Sequence, residues 1–225
     1  METDKDGSGI VRRSNGLTAM RVSTSEIERF IATSTNIRAY SYQEEGHAFY
    51  VLNSENGTLA YDLKTQEWHG RAWQNPNTGE EKRQRQEMHV WCFKKHIVAD
   101  WQNGYLYRQG LDLYSDNGQE IRRVRRSAHL ADDGEWLTVG ELWLDFATGE
   151  GLSSGQGSDP KVMLRAAPEG VSFGIERMES LGAIGEYDKQ VRFYDFGRGR
   201  KWVFEVAVSD PVFVALNGAV AKVAK

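Results

Sequence analysis

The chain has 225 residues, with 28 Lys and Arg against 32 Asp and Glu for a formal charge of −4, and is 40% hydrophobic and 11% aromatic. That apolar supply is enough for a packed core and argues against disorder, while the near-balanced charge excludes a wholesale polyanion binder but not a local basic patch. A single cysteine, Cys92, excludes an internal disulfide framework and a cysteine-rich zinc module. No apolar run approaches the roughly 18 residues of a membrane span, and Met1-Glu-Thr-Asp-Lys-Asp does not read as a signal peptide, so a soluble globular protein without a membrane partner is expected.

In chain order, the first element is a helix. Ser23-Thr-Ser offers N-cap hydroxyls, Glu26 suits the positive end of the helix dipole, and Ile27, Phe30 and Ile31 recur on one face, with Asn36 as the stop. Short segments rich in β-branched and aromatic residues then predict strands at 47–52, 58–63, 67–71, 89–93, 96–101, 105–108 and 121–127. Later strands are expected at 137–146, 161–166, 191–196, 202–209 and 212–216. In 202–209, Phe204, Val206 and Val208 share one face, so a one-residue slip would turn all three to water. Residues 215–225 read as a short helix or a frayed tail. Gly149 to Gly157 reads as a turn-rich loop between two sheet segments. The fold class is mainly β.

Asn-Gly turns at Asn15-Gly16, Asn56-Gly57 and Asn103-Gly104 are spaced 41 and 47 residues apart, the period of propeller blades. Asn-Gly is also the commonest hairpin turn, so chance recurrence is the competing explanation. Within Tyr61-Asp62-Leu-Lys-Thr-Gln-Glu-Trp68, Asp62 is placed to accept backbone N–H groups of the turn, with Tyr61 and Trp68 packing between neighbouring blades. A soft boundary falls near residue 130, with propeller-like blades and one short helix over 1–130. Residues 131–225 are expected to form a sheet or sandwich-like region continuing or closing the propeller.

The chemistry-bearing residues are few. His89-x-x-Cys92-x-x-x-His96 supplies zinc-type ligands, but a strand points His89 and Cys92 to opposite faces and no fourth ligand is evident, so a core strand with a buried thiol is preferred and no metal or other cofactor is expected. His129 near Asp132-Asp133-Gly134 could suggest a general base or cation site, yet Asp-Asp-Gly before a strand is more simply a turn. No nucleophile elbow, phosphate loop, zinc-protease helix or dinucleotide fingerprint occurs, and no catalytic residue is nominated. Ala166-Ala-Pro-Glu-Gly170-Val-Ser-Phe173 resembles a worn Asp-box hairpin, a structural motif without implication for catalysis.

The basic features are Arg122-Arg123-Val-Arg125-Arg126 and Arg198-Gly-Arg200-Lys201. On a strand, Arg122 and Arg126 share one face while Arg123 and Arg125 share the other, which spreads the cations instead of building one stripe along phosphates. These residues are candidates either for DNA-channel contact or for ion pairs with neighbouring strands or subunits, and arginine suits the second role.

Taken together, Arg21-Val-Ser-Thr-Ser-Glu-Ile-Glu28, Tyr42 to Leu52, Tyr61 to His69, Val98 to Tyr107, Tyr114 to Gly118, Arg122 to Arg125, Gly149 to Leu152, Gly155 to Arg165, Gly182 to Tyr187 and Phe204 to Val212 resemble the packaged-DNA stabilisation, or tail-hub, proteins of short-tailed bacteriophages. The order is kept from about Val11 to Ala219, although family members are considerably longer, so the chain is expected either to be a shortened member or to gain its missing blades from another chain. The resemblance implies a non-enzymatic virion protein, assembled in the host cytoplasm and located in the tail. It would form a homohexameric ring extending the portal and adaptor, meet tail needle or fibre proteins, retain packaged DNA and conduct it during ejection through transient contact with the duplex. The competing functions are a sialidase-like or kelch-like propeller that binds or hydrolyses glycans, using Trp68, Trp73, Trp91 and Trp101 as stacking surfaces, and an intracellular partner-binding propeller.

Overall fold

The computed structural model describes residues 2–3 and 9–224 and divides into two compact units between Leu111 and Asp112. The change of pattern expected near residue 130 therefore falls inside the second unit, because the Arg123–Arg126 strand pairs with Lys201–Val208 and not with earlier strands.

In the first unit the helix forms over Ser25–Ala32. The Thr24 hydroxyl accepts from the Ile27 amide at 3.5 Å, and Glu26 and Glu28 occupy the first turn, where the helix dipole favours acids. It ends earlier than the expected stop at Asn36, because the Thr33 and Ser34 hydroxyls turn back onto the Arg29 and Phe30 carbonyls. Ile27 and Ile31 pack onto Leu52, surrounded by Phe30, Tyr50, Leu59 and Trp68.

Beneath the helix lies an antiparallel meander of Arg38–Glu44, His47–Ser54, Gly57–Asp62, Glu67–Gln74 and Glu81–Arg83. A second meander follows, of Gln86–Cys92, Lys95–Asp100 and Leu106–Gln109. The first connection in each meander is a two-residue loop with both residues at positive φ, Glu45-Gly46 and then Phe93-Lys94, the geometry that matches strand twist. The second connection is Glu55-Asn56, just ahead of Gly57, in one sheet and contains Asn103-Gly104 in the other, so Asn-Gly recurs at the same junction of the two meanders. Asn15-Gly16 closes a separate hairpin of Arg12–Ser14 and Ala19–Arg21.

A buried polar chain joins the two meanders. The Asn53 amide donates to the Gln86 carbonyl at 2.9 Å and accepts from the Thr58 hydroxyl at 2.6 Å, which in turn accepts from the Gln84 amide at 3.2 Å. Asn53 and Thr58 are buried, so each bond satisfies a group that would otherwise be stranded away from water.

The second unit contains two facing sheets. One runs Arg123–Arg126, Lys201–Val208, Lys161–Ala167, Arg177–Ser180, and the other Val191–Gly199, Leu137–Phe146, Leu216–Ala224. Leu142, Leu144 and Phe193 from one sheet meet Leu164, Trp202, Phe204 and Val206 from the other in a single apolar core. The loop around Gly149 to Gly157 carries the chain from Leu137–Phe146 in one sheet to Lys161–Ala167 in the other.

Two expectations for the end of the chain are corrected. Residues 212–215 are irregular: Val212 is buried beside Gly157, and the Arg123 guanidinium holds the carbonyls of Asp210 and Val212 out of any ladder. The supposed helix or frayed tail is the strand Leu216–Ala224, fixed along its length by Leu137–Phe146. The strands Arg38–Glu44 and Arg177–Ser180 were not anticipated, their sequences being polar enough to read as loops.

Candidate functional site

The arginine run is built by one strand pairing. Arg126 lies opposite Glu205, and its guanidinium donates to that carboxylate at 2.6 Å. Arg165, from the strand on the other side, also holds Glu205, with its Nε at 3.0 Å. Both guanidiniums stack on Phe173, 5.4 and 5.3 Å from the ring centroid. Burial alone would raise the Glu205 pKa, but the bonds from Arg165 and Arg126 outweigh it and hold the carboxylate below its ordinary range. Arg122 pairs with Glu176 at 2.9 Å. Arg123 turns to the opposite face as expected and donates to main-chain carbonyls, with burial as the leading cause of its lowered pKa. Arg125 is exposed, with no ion pair among the described residues.

The second basic group sits where Val191–Gly199 leaves one sheet and Lys201–Val208 enters the other. Here Gly199 touches Pro168: a Cβ at this position would lie 2.5 Å from the Pro168 carbonyl oxygen, which also accepts from the Arg200 and Lys201 amides. Arg198 and Arg200 each approach the Trp136 ring, 5.1 Å from its centroid, and Arg200 pairs with Glu169 at 3.2 Å. Lys201 is exposed without an ion pair among the described residues. Asp132, Asp133 and Glu135 precede Trp136 in the chain, so the corner is mixed in charge. Of the seven basic candidates, Arg122 and Arg200 each pair with an acid of the same unit, Arg126 shares Glu205 with Arg165, and Arg123 keeps its charge while its donors are satisfied by main-chain carbonyls.

In the first unit His89 and His96 meet, Nε2 to Nδ1 at 2.8 Å, between Tyr42 and Trp91. Burial and then the charge of His96 lower the His89 pKa. The Cys92 thiol is half-buried and not the buried one expected, because it lies at the end of its strand next to the Phe93-Lys94 turn; among the described residues no group of three His, Cys, Asp or Glu could hold a metal ion. The Asp-Asp-Gly segment after His129 is a turn: Asp133 and Gly134 take positive φ and the Glu135 amide closes it on the Asp132 carbonyl at 2.7 Å. His47 instead pairs with Asp62 at 2.6 Å, and Asp62 also accepts the Lys64 amide at 2.9 Å, closing the turn that the sequence assigned to it.

An open cleft of about 750 Å³ in the first unit is lined by Val11, Arg12, Tyr42, Tyr50, Tyr61 and Leu63 among others, with no carboxylate or histidine among its described lining residues. Each of the four tryptophans considered for sugar stacking has a partner within the fold. The Trp68 indole donates to the Val22 carbonyl at 2.8 Å, Trp73 is buried beneath Arg85, Trp91 stands against His96 and Trp101 lies under Arg83.

What sequence reasoning missed is Glu205, the carboxylate that absorbs two arginines. Its signal was present: a lone acid on the face opposite Phe204, Val206 and Val208, in a strand that needs a buried partner for it.

Comparison with known families gives two matches. A family model described as bacteriophage P22 Gp10, beta-propeller, matches residues 3–112, and one described as bacteriophage P22 Gp10, beta-sandwich, matches residues 122–224. No curated protein matches the chain. Between them the two models take in the repeated meanders and the two-sheet sandwich, in that order, and the chain belongs to the bacteriophage P22 Gp10 family of phage structural proteins that stabilise packaged DNA.

Proposed function

We propose that this chain is a ring subunit of a phage tail nozzle or hub, which extends the portal and adaptor channel, retains packaged DNA and conducts it during ejection. The observation that carries this is the succession of a propeller-family region, residues 3–112, and a sandwich-family region, residues 122–224, in one chain. The electrostatics agree with it. A wall that duplex DNA must slide past works best without a dense cationic stripe, since each phosphate neutralised adds to a binding energy that would slow transit. Here acids of the same unit pair with Arg122, Arg126 and Arg200, and the net charge is −4. Six copies around one channel is the stoichiometry proposed, with portal and adaptor proteins above and needle or fibre proteins below.

The test is assembly. Purified chain is mixed with its portal–adaptor complex and followed by light scattering and negative-stain imaging. The expected result is an added ring of density below the adaptor, with the mass increase of six copies. A chain that leaves the connector unchanged in mass and outline contradicts the proposal.

A further inference from the structure

His89 and His96 stand on neighbouring strands of the second meander, His89 opposite Val98 and His96 opposite Trp91, which places them diagonally on one face. That face packs against Arg38–Glu44 of the first meander. His89 stacks on Tyr40 with centroids 6.3 Å apart and meets Tyr42 at 5.3 Å, while His96 meets the Tyr42 ring edge-on at 5.9 Å. The two imidazoles are 2.8 Å apart from Nε2 to Nδ1 and 5.1 Å apart between centroids. The second distance is the first plus one ring radius at each end, so the nitrogens point at each other head-on. A metal ion, with bonds of about 2 Å, does not fit between them, and a hydrogen bond does.

That bond needs one proton and one lone pair on the line between the rings. The neutral pair meets the requirement. So does a pair with one added proton, where the bond becomes charge-assisted. With two added protons both nitrogens carry a hydrogen, no acceptor is left, and two positive rings touch. The surroundings do not compensate. From Arg38–Glu44, Tyr40 and Tyr42 present rings, and burial pushes the Tyr40 hydroxyl up to about 12. Arg71, from Glu67–Gln74, donates to the Tyr42 hydroxyl at 2.6 Å and adds a further positive charge. From Leu106–Gln109, Gln109 lies opposite His96, and Tyr107 lies opposite Val98. Lys95 precedes His96 in its strand. Glu87 is taken by Arg38 and Arg83. Glu44 favours a charged His89, but burial and the His96 charge outweigh it.

We propose that the His89–His96 pair is a proton-operated latch between the two meanders, closed with no added proton or with one, and opened by the second. Opening parts the rings at the Tyr40–Tyr42 face, while the Asn53–Gln86 bond keeps the meanders joined elsewhere. The latch lies wholly within the first unit, so it stands or falls separately from the ring proposed above.

A histidine-ring NMR titration of the full chain from about pH 8 to about pH 4 tests this, ordinary histidine titrating near 6.5. The pair is expected to take up its protons in two steps, the second at least about one pH unit below that ordinary value. Nuclear Overhauser contacts between the His89 and Tyr42 rings should survive the first step and be lost with the second. In H96Q the low step should disappear and His89 should titrate once, at higher pH, and in H89Q His96 should likewise titrate once. The wild-type titration stands without either variant. A wild-type pair whose two steps coincide near the ordinary value overturns the proposal. So do His89–Tyr42 contacts that persist after the second step, or a low step that remains in H96Q.

Discussion

At the residue scale, the sandwich turns on what surrounds Glu205. The carboxylate is 3% exposed, whereas the Arg126 and Arg165 side chains that hold it are 63% and 37% exposed. Removing one member of a fully buried ion pair costs roughly 3–5 kcal/mol. Here the two arginines keep access to water when left alone, so E205A is expected to destabilise the sandwich by about 2 kcal/mol in urea unfolding, through the lost charged bonds. A loss below about 0.5 kcal/mol would show that the pairs are ordinary surface contacts. The folded pKa of Glu205 lies below its ordinary value. Its contribution is therefore fully present above that value and is lost as pH falls through the lower folded one. Acid unfolding of E205A should accordingly be less steep than that of the wild type below about pH 4.5. The basic run itself was legible in the sequence, including the division of its arginines between two faces. Its partners were not, because Glu176, Glu205 and the carbonyls of Asp210 and Val212 come from segments far along the chain.

At the scale of elements, the strands that alternate cleanly or carry β-branched and aromatic residues were readable, as were the helix start and the Asn-Gly turns. The turn at Phe93-Lys94 was not readable, since neither residue suits positive φ, and only its equivalence to Glu45-Gly46 reveals it. That conflict gives a prediction. The left-handed conformation costs a residue with a Cβ about 1 kcal/mol, so K94G should stabilise the first unit by about that amount in urea unfolding. A destabilised K94G would mean that the Lys94 side chain supports the turn by contacts. The edge strand Leu216–Ala224 was hidden for a different reason. Its alanines and glycine have weak strand preference, and it is held by the neighbouring Leu137–Phe146 strand and not by its own pattern.

For the whole molecule, the order of motifs told more than any one of them. No single block identifies the chain, yet the same order appears as two repeated meanders followed by two facing sheets, and both family models fall on those regions. The boundary was placed too late in the sequence because the Arg122–Arg126 segment looks like the short strands before it, and only its pairing with Lys201–Val208 assigns it to the sandwich. The loss of a phage structural protein that stabilises packaged DNA should show in the particle. The most direct measurement is the DNA content of particles assembled without this chain, followed over time after packaging ends. The account predicts heads that fill normally and then lose their DNA, with retention restored by adding back the purified chain. Heads that stay filled in its absence would contradict it.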